Sequence, residues 1–222
     1  MTRAGRAYRG VDRLLREYEA KEAAIRARLD EFREVGRRRP DRDLFSEMAF
    51  CLLAIQTKGR VADAAVRALA DEGLLWAGDA PGIARSLRHR VRFHNHKAAY
   101  LVAARDRFLG PGGPSLGSTL GRFASSQAAR DWLVHEVDGF GFKEASHFLR
   151  NVGRGEDLAI LDRHILRNVV RHRIVGRMPR TLTPRRYVAI EDRMRVFASD
   201  VGIPLGALDL LFWSRETGEI FK

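Results

Sequence analysis

Apolar residues return every three or four positions along almost the whole chain, and nowhere do they alternate position by position. Val11, Leu14, Leu15, Tyr18, Ile25, Leu29 and Phe32 fall on one helical stripe. Leu44 to Ile55 is nearly all apolar and reads as a buried helix, and Val61 to Leu69 as an alanine-rich one. This periodicity predicts an all-α protein without strands. The breaks agree. Arg37-Arg38-Arg39-Pro40 ends the first helix, Gly73 stops the third, and Pro81 opens a short one at its first turn. Asn95 is the expected cap of a helix running through Phe108. Residues 110–121 hold five glycines and two prolines and predict a loop of about twelve residues. Ser125 or Ser126 caps the next helix, to His135. A helix is expected from Arg163 to about Ile174, another from Thr183-Pro184 to Gly202, and a last one opened by Pro204.

Charge narrows the partners. Forty basic residues oppose 28 acidic ones, a formal +12 in 222 residues, which fits a polyanionic partner, most commonly nucleic acid. Solubility alone accounts for the same excess. Only Lys21, Lys58, Lys97, Lys143 and Lys222 are lysines, so each lysine position carries information. A single cysteine, Cys51, excludes a disulfide framework and a thiolate metal site made by this chain alone, and its apolar helix reads as core. His94 and His96 lack a third ligand, so no metal site is expected. No run approaches the ~18 apolar residues of a membrane span. The expectation is a soluble, monomeric protein without a membrane partner, cytoplasmic or nucleoid-associated. Trp76 and Trp132 sit on apolar helix faces and read as core.

One segment suggests chemistry. Val137-Asp138-Gly139-Phe140-Gly141-Phe142-Lys143 reads as a tight glycine turn between two helices, a helix-hairpin-helix. Gly139 and Gly141 permit backbone shapes that a side chain forbids, and the exposed amides can bind a phosphate. Lys143 stands in the first turn of the second helix, to about Val152, where the helix-end dipole and burial both disfavour an ammonium. A neutral amine there can attack a sugar C1′ and form a Schiff base. A phosphate-contacting lysine fits the local sequence equally well. Asp162 follows the apolar run Ala159-Ile160-Leu161 at the head of another helix. It is either a helix cap or a carboxylate that faces the lysine and stabilises a cationic sugar.

The stretch Gly139 to Gly153, with Lys143-Glu144-Ala145-Ser146-His147-Phe148-Leu149-Arg150-Asn151 inside it, and Leu161-Asp162-Arg163-His164-Ile165-Leu166-Arg167 resemble the helix-hairpin-helix DNA glycosylase superfamily. Within it they are similar to the second, mainly archaeal subfamily of 8-oxoguanine DNA glycosylase/AP lyases. Leu208-Asp209-Leu210-Leu211-Phe212-Trp213 and Glu216 to Lys222 agree, as do Phe50 to Leu53 with Gln56, and Arg92-Phe93 with Lys97. The resemblance implies that Lys143 is the Schiff-base nucleophile and Asp162 the catalytic aspartate. Trp213 and Phe93 would hold an everted base. The carboxylate of Lys222 and the side chain of Asp209 would recognise that base. Gln56 would fill the gap left in the duplex. Gly139, Gly141 and His164 would lie against DNA, with His164 also next to Asp162 in sequence. No cofactor is implied, beyond a monovalent cation at the hairpin carbonyls. The chain departs from the pattern at Ser214, where an aromatic is common, and at Phe140 and Phe142, where smaller residues are.

The implied fold has two helical subdomains with the hairpin at the cleft between them. One is a helical barrel over 44–153; the other combines 1–43 with 154–222. The implied partner is double-stranded DNA containing damaged guanine, excised and then nicked. Two alternatives stay open: the same fold acting on another damaged or mismatched base, and a non-catalytic DNA-binding hairpin protein.

Overall fold

The computed structural model describes residues 8–38 and 40–222. Residues 1–7 and Arg39 of the expected second subdomain lie outside the described residues. The chain is all-α: among the described residues there are twelve helices and no strand. They are α1 (Val11–Arg38), α2 (Asp41–Leu53), α3 (Gly59–Asp71), α4 (Leu74–Ala77), α5 (Ala80–Leu87), α6 (His94–Leu109), α7 (Leu116–Gly121), α8 (Ser126–Glu136), α9 (Phe142–Asn151), α10 (Arg163–Arg171), α11 (Pro184–Val201) and α12 (Leu205–Thr217). No single helix among them is long and apolar enough to cross a membrane.

The buried side chains divide into two clusters. The first runs from Leu44 to Leu158 and takes in Phe221; α2 lies at its middle, packed on α3, α6 and α9. The second joins Leu14, Ile25, Leu29 and Phe32 of α1 to residues of α10, α11 and α12. Burying a leucine or phenylalanine contributes roughly 1.5–3 kcal/mol, so these stripes, rather than helix propensity, hold the elements in place. Trp213 packs against both clusters. The two halves also meet where α9 ends. Gly153 has φ +65°, and a Cβ there would lie 2.5 Å from Arg33 Cα, so only glycine lets α1 pass this closely.

Four sequence expectations need correction. Only residues 110–115 form a loop, because α7 occupies 116–121. Ser115 Oγ accepts from Ser118 N at 3.2 Å. The Asp41 carboxylate accepts from Leu116 N at 3.0 Å and Gly117 N at 2.9 Å, so the first turn is capped from α2. Asn95 does not cap α6. Phe93, at φ +57°, turns the chain into the helix, and its carbonyl accepts from Lys97 N at 3.0 Å. α10 ends at Arg171 rather than near Ile174, because Arg173 adopts φ +58°. The four-residue α4 follows Gly73 where none was expected.

Candidate active site

The hairpin between α8 and α9 is closed by Phe140 N donating to Val137 O at 3.0 Å. Gly139 has φ +86°, and a Cβ there would sit 2.6 Å from Tyr100 Cδ2, so the turn is restricted to glycine. Gly141 precedes α9, and its N–H donates to Glu144 Oε2 at 3.3 Å. Lys143 is therefore the second residue of a fixed helix. Its side chain is 24% exposed and its Nζ is 3.7 Å from Glu144 Oε1. It is neither sealed in the core nor free in bulk water.

Asp162 follows the buried residues Ala159, Ile160 and Leu161. Its N–H donates to Ile160 O at 2.7 Å, and its Oδ1 accepts from Ile165 N at 2.8 Å. It is thus a helix cap, as its sequence position suggested. The buried carboxyl of Asp209 feels both charges: Asp162 pushes it up and Lys143 pulls it down. Lys143 is carried by the helix of the first cluster, and Asp162 by the segment that enters the second.

Asp209 itself is 3% exposed. Oδ2 accepts from Arg150 Nη1 at 3.3 Å, and Oδ1 has no partner. Burial, only partly opposed by Arg150, pushes the carboxyl up to about 7. The native state therefore holds a proton that the unfolded chain releases near pH 4. That contribution to stability is complete below about pH 4 and is lost as pH rises through about 7. Asp209→Asn is expected to remove this slope, of order 1 kcal/mol per pH unit. Urea midpoints for both proteins at pH 4 to 8 check it; parallel curves would contradict the assignment.

The face of α9 that starts at Lys143 continues with His147 and Arg150, at steps of four and three. His147 is buried, lies edge-on to Phe50 with centroids 5.4 Å apart, and neither ring nitrogen completes a hydrogen bond. Burial, then Lys143 and Arg150, push it well below its usual range, so it is neutral. The Lys222 main chain lies beside it. A chain of bonds then runs outward. Arg150 Nε donates to Asn151 Oδ1 at 3.0 Å, and Asn151 Nδ2 to Glu47 Oε2 at 3.0 Å. Lys222 Nζ donates to Glu47 Oε1 at 2.7 Å and pairs with Asp63 Oδ1 at 3.1 Å. Phe221 is buried beneath the Arg60 guanidinium, 4.0 Å above its ring. Lys222 is held on the first cluster rather than frayed. Sequence reasoning gave His147, Arg150 and Glu47 no role. A polar stripe at helical spacing from Lys143 was the available signal for the first two.

The remaining candidates stand just past α2, at the start of α6, and on α10 and α12. Trp213 is half-buried, with its ring centroid 6.4 Å from that of Phe221. Phe93 is 49% exposed at the start of α6, with the Arg92 guanidinium over its ring. Gln56 is exposed at φ +51° just past α2. Lys97 braces that turn: its buried ammonium donates to Leu53 O and Ile55 O, both at 2.7 Å, and to Thr57 Oγ1 at 3.0 Å. Desolvation, with Arg92 and Lys143 nearby, lowers Lys97 to about 8. His164 does not contact Asp162; its ring faces Glu216 of α12 at 3.7 Å, as does Arg167 at 3.6 Å. Ser214 is buried and accepts from Lys21 Nζ at 3.0 Å. Cys51 is fully buried, and burial pushes its thiol up, away from thiolate. Among the described residues no group of three His, Cys, Asp or Glu side chains is arranged to hold a metal ion.

A half-covered lysine at a helix start and a carboxylate cap, carried by different clusters, stand beside a buried polar patch. Comparison with known proteins gives this shape relatives. The family model described as 8-oxoguanine DNA glycosylase matches residues 25–203. The 8-oxoguanine DNA glycosylase/AP lyase of Fusobacterium nucleatum is 38% identical over 92% of this chain and 94% of its own. That of Methanocaldococcus jannaschii is 34% identical over 89% and 91%. Among solved structures, the 8-oxoguanine DNA glycosylase of Thermotoga maritima superposes with a TM-score of 0.84 at 30% identity, covering 96% of this chain and 98% of that one. The M. jannaschii 8-oxoguanine glycosylase/lyase in complex with a 15mer DNA containing 8-oxoguanine gives 0.83 at 29% identity, covering 94% and 99%.

Proposed function

The chain belongs to the 8-oxoguanine DNA glycosylase family, and on that premise we propose that it excises 8-oxoguanine from duplex DNA and nicks the strand with Lys143 as nucleophile. The observation that supports the residue assignment is the placement of Lys143, part-exposed in the first turn of α9 behind the glycine hairpin, and of Asp162 at the head of α10, both within the span the family model matches. A base inside a duplex is out of reach of any side chain, so the damaged nucleotide must leave the stack, at a cost of a few kcal/mol. Basic surface on phosphates, Trp213 and Phe93 on the base, and Gln56 in the vacated gap offset that cost.

The Lys143 amine then attacks C1′ through its nitrogen lone pair. The C1′–N bond to the base breaks and the base departs with the electron pair. Asp162 spends Oδ1 on the cap of α10, which leaves Oδ2 to stabilise the positive sugar. The nitrogen gives up a proton to the departing base, its lone pair then breaks the C1′–O4′ bond to form the iminium, and O4′ takes a proton from water. Loss of a C2′ proton expels the 3′ phosphate, and water returns the lysine. The sequence needs no metal or redox cofactor. His147 and Asp209 bring unpaired polar atoms to the same region, and the main chain of Lys222 lies beside the first of them; these are the groups we assign to reading the base edge.

The test is excision from matched duplexes carrying 8-oxoguanine, an oxidised pyrimidine, uracil or no lesion. Strand cleavage at 8-oxoguanine should exceed the others by at least about tenfold. Equal cleavage of all lesions would overturn the substrate assignment, and binding without cleavage would leave a DNA-binding protein.

A further inference from the structure

Lys143 and Asp162 lie in different halves of the fold, so their separation depends on what joins the two segments that carry them. Arg130 of α8 and Glu191 of α11 form an ion pair at 2.7 Å in which both side chains are at most 2% exposed. A desolvated pair this complete is costly to assemble, and it persists only where further bonds satisfy it. Here those bonds run to both segments. Glu191 Oε2 also accepts from Ala159 N at 2.8 Å. Tyr187, one turn earlier on α11, donates its hydroxyl to Ala159 O at 2.6 Å and accepts from Leu161 N at 3.1 Å. Asp162 is the next residue. On the other side, the Arg130 guanidinium lies 4.7 Å from the Phe142 ring centroid and 5.6 Å from that of Tyr187. Phe142 and Tyr187 pair with centroids 5.5 Å apart. Lys143 is the residue after Phe142.

We infer that Tyr187, Glu191 and Arg130 are positioning residues that fix Asp162 relative to Lys143. The three touch no substrate; they act through the two residues that do. The inference rests on the reading of Lys143 and Asp162 as the reacting pair.

Tyr187→Phe keeps the ring on Phe142 and Arg130 but removes the hydroxyl that holds Ala159 O and Leu161 N. A shift of about 1 Å at a reacting group costs about a hundredfold in rate. Single-turnover excision should therefore fall by roughly ten- to a hundredfold while KM for lesion DNA stays within twofold. The decisive arm is a double-mutant cycle. In an Asp162→Asn background, Tyr187→Phe should add no further loss, because it acts through that carboxylate. Independent multiplication of the two effects, or an unaltered rate in a folded Tyr187→Phe protein, would overturn the inference. Should Tyr187→Phe fail to fold, Glu191→Gln carries the same expectations, since the amide oxygen keeps one acceptor for Ala159 N. Wild-type protein that does not excise 8-oxoguanine would instead sink the functional reading beneath it.

Discussion

Lys143→Gln should leave a folded protein that binds lesion DNA, gives no covalent adduct on borohydride treatment, and excises at least about three orders of magnitude more slowly. Glutamine has nearly the same helix propensity and length, so α9 should persist. Among the described residues the ion pair lost is the 3.7 Å approach to Glu144, on a side chain one quarter exposed, and such pairs contribute little. What disappears is the one atom able to bond to C1′. Wild-type protein should trap under the same conditions. An adduct with the glutamine variant would show that another amine attacks and would overturn the assignment of Lys143.

Asp162→Asn should separate two roles that one carboxylate performs. Asparagine caps a helix about as well as aspartate, so the bond to Ile165 N and the start of α10 should survive. The charge does not survive. Loss of one preorganised electrostatic partner at a developing cation costs about 10²–10³ in rate. Excision should fall by that factor while the thermal midpoint moves by no more than a few degrees. A large fall in stability with little change in rate per folded molecule would make Asp162 a cap and nothing else. Because the two residues serve one step, Lys143→Gln with Asp162→Asn should be no slower than Lys143→Gln alone.

Local signals in the sequence were readable where they act over a few residues. Ser125 accepts from Ala128 N, and Thr183 from Arg186 N, as their positions ahead of helices suggested. The glycine turn and the place of Lys143 in the first turn of α9 were legible for the same reason. The α7 segment was misread because glycine count argues for a loop, whereas its helix is closed by Asp41, about 75 residues away. No window around residue 116 contains that carboxylate. The positioning cluster is hidden for a similar reason. Arg130 and Glu191 are 61 residues apart, and neither belongs to a motif. Phe93 shows the reverse limit: a left-handed residue opens α6, and nothing short-range announces a positive φ at a phenylalanine. His147 was within reach, since it stands one turn from Lys143 on the same face.

Cys51 gives the chain a property suited to oxidising conditions. Peroxide attacks the thiolate rather than the thiol, and the first step of that ladder needs access to sulfur. This chain holds one cysteine, packed at 0% exposure in α2 with its ionisation suppressed by the surrounding hydrocarbon. A burst of reactive oxygen that multiplies lesions in the genome therefore meets no vulnerable sulfhydryl in the protein that must remove them.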